Sequence, residues 1–69
     1  MFMMKIGKVI FELRKEQGLS QAELAKAVGV SQRAVSLWEE GKNEPKASYI
    51  YQLAKVFDVS ADYLLGLED

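Results

Sequence analysis

The stretch LAKAVGVSQRAVSLW, residues 24–38, carries two short apolar patterns at helical spacing, Leu24 with Val28 and then Val35 with Trp38. Only Gly29, Val30 and Ser31 lie in the middle of the gap between them. Glycine can take the left-handed conformation that stops a helix, and a serine hydroxyl can cap the start of the next one. With a single valine between those two signals the second helix must leave at a steep angle, and small Ala25 stands where the axes would approach. The spacing predicts a helix-turn-helix. A plain corner between two packed helices would use the same grammar, so the turn alone leaves function open.

Working outward, the remaining apolar residues also recur at helical spacing. Phe2, Ile6, Ile10 and Leu13 share one face of a first helix that stops near Gly18. Tyr49, Ile50, Leu53, Val56 and Phe57 do so on a fourth, after the third has closed at Gly41, and a short fifth runs around Ala61 to Leu65 and closes at Gly66. No alternating run of β-branched residues reads as a strand. Ser20, Ser31 and Ser60 each stand ready to cap a helix, and each follows an apolar residue (Leu19, Val30, Val59) placed to clip onto Leu24, Val35 or Leu64. Glu23, three positions after Ser20, completes a capping box.

The bulk properties narrow the function. A chain of 69 residues has interior enough for one core, so a single domain over 1–69 is expected, with its core at about 6–66. Hydrophobic residues at 49% and charged residues at 28% describe an ordinary soluble globule. No apolar run approaches the roughly 20 residues of a membrane span, and Met1 to Met4 is too short for a signal peptide, so a cytoplasmic protein is expected. With neither cysteine nor histidine there are no disulfides, no thiolate or imidazole chemistry and no zinc site of the usual kind. No cofactor and no metal are expected, and the ten acidic residues show no pairing that would serve an enzyme. The net charge of −1 hides a gradient: residues 1–18 hold four Lys/Arg against two Glu, while residues 47–69 hold one against four acids. A polarised chain can still present a positive face.

If Val35 points inward, Arg33 and Leu37 lie almost opposite it, flanked by Ser36 and Glu40, with Gln32 at the N-terminal rim. A helix fits the major groove of DNA. There Arg pairs bidentately with guanine, Gln with adenine, and an apolar side chain touches the thymine methyl, which suits Arg33, Gln32 and Leu37 respectively. Glu39 falls about 40° from Val35 on the buried side and needs a partner there. Arg14, at the flank of the first helix's apolar face, is the best candidate, and its planar guanidinium suits a partly buried two-pronged pair.

Taken together, LSQAELAKAVGVSQRAVSLWEEGKNEP, residues 19–45, closely resembles the helix-turn-helix core of the phage repressor and Cro family, the XRE-type regulators. The likeness runs from about Ile6 to the VSADYLLG of residues 59–66, with the QAELA opening, the Gly29 turn, WEEG and the following proline in register. The resemblance implies an all-α, compact five-helix, lambda-repressor-like domain with the helix-turn-helix at helices two and three. It implies that the third helix enters the major groove, with Gln21 on phosphate and with Ser31, Gln32, Arg33 and Ser36 at or near the bases. Lys42 and Asn43 would lie against the backbone, where contacts fix register and give salt sensitivity without reading sequence. Family members usually bind double-stranded palindromic operators as homodimers, which implies a transcriptional regulator, a repressor by preference.

Two residues depart from the family pattern. Glu40 stands where a basic or amide residue is common, and Leu37 replaces a polar reader, which implies modest affinity or a T-rich operator. Phe11 and Tyr51 project away from the apolar faces of their helices and suggest a protein interface. The competing expectation is therefore a protein-interaction module, such as an antitoxin or antirepressor partner, using Phe11, Tyr51 and Leu65. Because the sequence stops soon after Gly66, no separate effector domain is expected.

Overall fold

The computed structural model describes residues 5–67. Five helices follow one another: α1 (Ile6–Glu16), α2 (Gln21–Val28), α3 (Gln32–Glu39), α4 (Ala47–Phe57) and α5 (Ala61–Leu64), with no strand among the described residues. Phe2, assigned above to the first apolar face, lies outside the described residues. None of these helices is long and apolar enough to cross a membrane.

The starts of α2, α3 and α5 are set by hydroxyls. Ser20 accepts from the Glu23 amide at 3.0 Å while Glu23 reaches back to the Ser20 amide at 2.8 Å, so both halves of the capping box are closed. Ser31 and Ser60 accept from the amides of Ala34 and Tyr63 at 3.1 and 3.0 Å. Each cap contributes about 1 kcal/mol, a large share of what a domain this small can hold. Leu19, Val30 and Val59, one residue ahead of the caps, pack onto the core from outside.

Gly29 ends α2 in the left-handed region at φ 88°, and its amide and that of Val30 both donate to the Ala25 carbonyl, at 2.8 and 2.9 Å. This tight knot directs the chain from α2 into α3. The core it folds around is Ile6, Ile10 and Leu13 of α1, Leu24, Ala25 and Val28 of α2, Val35 and Trp38 of α3, Leu53 and Phe57 of α4, and Leu64 of α5.

Three features go beyond or against the sequence reading. Of the five residues assigned inward on the fourth helix, only Leu53 and Phe57 are fully buried; Tyr49, Ile50 and Val56 are half-buried because α4 packs chiefly on α2 and α5, at the edge of the core. The last helix stops at Leu64, and Leu65 is half-buried against the core. Gly7 is buried where α1 meets the end of α3: a Cβ there would collide with the Trp38 carbonyl oxygen and lie 3.4 Å from Glu39 Cα. The absence of a side chain at Gly7 sets how closely α1 can support the third helix.

Candidate nucleic-acid interface

α3 is held from one side. Val35 has no exposed surface and Trp38 only 5%, and the Trp38 ring meets that of Tyr49 at 5.8 Å between centroids, tilted by 41°. That contact pins the end of α3 to the first turns of α4. On the other side Gln32 and Arg33 are exposed at the start of the helix, next to the exposed capping Ser31, and Ser36 follows one turn along, half-buried.

Leu37 is more covered than its position opposite Val35 predicts; it is half-buried rather than open. Gly41, left-handed at φ 77°, folds the chain back so that the amides of Lys42 and Asn43 donate to the Leu37 carbonyl at 3.0 and 3.3 Å. The same turn places exposed Lys42 and Asn43 just beyond the C-terminal end of α3.

Beneath this face is an ionic clamp. Arg14 donates from Nε to Glu39 Oε2 at 2.7 Å and from Nη2 to Oε1 at 3.1 Å, and its Nη1 holds the Leu19 carbonyl at 2.9 Å. The side chains are only 9% and 6% exposed, so the pair is well shielded from solvent. The hydrogen bond to Glu39 raises the Arg14 pKa above its ordinary value, with the Glu39 charge helping and burial working against it. Gln21 joins the same carboxylate, donating from Nε2 to Oε1 at 3.0 Å. Glu39 therefore ties α1, α2 and α3 together, and Gln21 stands half-buried at the start of α2 with its amide oriented by the clamp.

Two open grooves flank the N-terminal part of α3, each of about 510 Å³. One brings Gln21 and Gln32 together with Arg14; the other brings Ser31 together with Asn43. Arg33, Ser36 and Lys42 lie outside both. Glu40 makes contacts that its departure from the family pattern does not announce: its Oε2 accepts from Ser36 Oγ at 3.4 Å, and its Oε1 lies 3.5 Å from Lys42 Nζ. The four-residue spacing of Ser36 and Glu40 was the available signal. Nothing local announced the Gln21–Glu39 bond, which spans 18 residues.

A sequence profile of the helix-turn-helix family matches residues 10–64. The chain belongs to the helix-turn-helix family, of the XRE type. This helix-turn-helix chain is similar to repressor protein C2 of Salmonella phage P22, at 42% identity over 60 residues, 87% of this chain and 28% of that protein. Its fold is similar to the crystal structure of the P22 c2 repressor with a synthetic operator, with a TM-score of 0.88 at 38% identity, covering 96% of this chain and 100% of that one. It is also similar to SinR of Bacillus subtilis solved with DNA, with a TM-score of 0.81 at 36% identity, covering 87% of this chain and 97% of that one. Against the P22 repressor and three further curated regulators, this helix-turn-helix chain spans 28% to 52% of their length.

Proposed function

We propose that this helix-turn-helix domain is the double-stranded-DNA-binding part of a transcriptional regulator, a repressor, working in the cytoplasm without a cofactor. The observation that carries this reading is the two-sidedness of α3: Val35 and Trp38 lock one face into the core while Gln32 and Arg33 stand exposed on the end that would enter a major groove. Arg33 and Gln32 read base edges, with Ser31 and Ser36 beside them and Leu37 offering a partial apolar contact. Gln21, Lys42 and Asn43 take phosphates on either side. The repressor named above was solved with an operator and SinR with DNA, which supports extending that activity to this chain. The unit that binds is a homodimer on a palindromic operator.

Selection of bound sites from a random DNA pool tests this. The expected result is an inverted repeat whose half-sites are about one helical turn, roughly 34 Å, apart. Enrichment no better than bulk nucleic acid would remove the DNA-binding reading, and a single unpaired half-site would remove the dimer. Light scattering separately asks whether the dimer exists before DNA arrives, since two copies double the 7.8 kDa mass.

One observation favours a second reading, a protein-binding module. Phe11 and Tyr51 are 45% and 60% exposed, and SinR is also known in a complex with SinI. Leu65 does not join them, because it packs half-buried on the core. Loss of a co-eluting partner from host lysate on replacing Phe11 and Tyr51 by Ser, with DNA selection unaffected, is the outcome this reading expects.

A further inference from the structure

Glu40 is the residue that fits the DNA-binding face least well, because a carboxylate near phosphates weakens binding to every sequence. Its surroundings show how it is held. One oxygen faces Lys42 Nζ at 3.5 Å and the other accepts from Ser36 Oγ at 3.4 Å, so the exposed carboxylate sits between a cation and a hydroxyl on the outer side of α3. A carboxylate can only accept, so the proton in the Ser36–Glu40 bond belongs to Ser36. A hydroxyl has one proton. With that proton committed, Ser36 presents only lone pairs to a partner in front of it.

We propose that Glu40 is a positioning residue that determines specificity: by taking the Ser36 proton it makes the middle of α3 an acceptor-only patch. Resting on the DNA-binding reading above, the patch selects a base with an exocyclic amino group facing Ser36, the N6 amino of adenine or the N4 amino of cytosine. It disfavours guanine and thymine, whose hydrogen-bonding major-groove edges offer acceptors alone. Arg33, on the preceding turn and carrying donors alone, selects the opposite character. The exposed face of α3 thus runs from a donor at Arg33 to acceptors at Ser36 and Glu40, an ordered pattern that one strand of the operator must complement.

Sites are selected from a random DNA pool with the unaltered chain, Ser36→Ala, Glu40→Ala and the double variant, and base preferences are compared position by position. Ser36→Ala identifies the position that Ser36 faces, which in the unaltered chain favours adenine or cytosine by about fivefold, the size of a single hydrogen bond. Glu40→Ala raises affinity for all sequences and removes that fivefold preference at the same position, admitting guanine and thymine, while the preference under Arg33 stays. The double variant matches Ser36→Ala at that position, because Glu40 acts there only through Ser36. The proposal is overturned if Ser36→Ala alters no position, if that position favours guanine or thymine, or if Glu40→Ala leaves its preference intact. No enrichment with the unaltered chain would instead overturn DNA binding itself.

Discussion

Arg14 of α1 and Glu39 of α3 are joined by two parallel hydrogen bonds, 2.7 and 3.1 Å long, at the base of the face that carries Gln32 and Arg33. Both side chains are more than nine-tenths buried, so removing one leaves the other charged and shielded from water. Breaking such a pair costs about 3–5 kcal/mol, against under about 1 kcal/mol for an exposed pair. Arg14→Met is expected to lower the melting temperature by more than about 10 °C, given about 4–8 °C per kcal/mol for a domain of this size. It should also weaken DNA binding, because Gln21 loses the anchored carboxylate that orients it. Adding Glu39→Met should recover part of the lost stability, and a double-mutant cycle measures how much. An unchanged melting curve in Arg14→Met would show that the clamp contributes little.

Gly7→Ala sets two effects against each other. Alanine is the better helix former by about 1 kcal/mol, yet the added methyl group would strike the Trp38 carbonyl, a backbone atom that cannot rotate aside. Overpacking of this kind costs about 1–3 kcal/mol, so the net change is expected to be destabilising. Urea denaturation decides the sign. A more stable Gly7→Ala would mean that α1 can move off α3 freely, and the spacing of those helices would then not depend on this residue.

Gly29→Val isolates a different cost. Nothing lies within 4 Å of where its Cβ would be, so no clash contributes and any loss reflects the left-handed backbone at φ 88°. A β-branched residue fits that region poorly, and a fall of about 1–2 kcal/mol is expected by thermal or urea unfolding, with Gly29→Asn losing less. Equal stability of the valine and asparagine variants would show that the turn can relax to ordinary dihedrals.

The features legible in the sequence were those encoded by neighbours in the chain. The three serine caps, the Gly29 turn and the inward face of Val35 and Trp38 each depend on residues within about one helical turn, and all are present in the structure. Arg14 could be matched to Glu39 across 25 residues because a carboxylate on a buried face demands a cation. Gly7 gave no such signal, since a glycine inside a helix does not reveal what presses against it. Asp58, which ends α4 at φ 59°, was also silent, although aspartate tolerates that conformation better than most residues. The half-burial of Leu37 is a tertiary effect, which a projection of α3 alone does not contain.

Arg33 and Lys42 should separate base reading from backbone attachment. Arg33 is exposed near the start of α3, whereas Lys42 lies beyond its end with its ammonium 3.5 Å from Glu40. Arg33→Ala is expected to relax the preference at one base pair in each half-site and to cost about 1–3 kcal/mol per half-site. Lys42→Ala should weaken all sequences alike and reduce the slope of log affinity against log salt by about one per subunit. Part of that slope is already offset in the free protein, because a phosphate must draw Lys42 away from Glu40 before it gains the charge. Glu40→Gln should therefore steepen the slope where Lys42→Ala flattens it, and titrations of one operator between low and physiological salt distinguish the two. If Lys42→Ala instead changes the preferred sequence, Lys42 reaches a base edge and its assignment to phosphate is wrong.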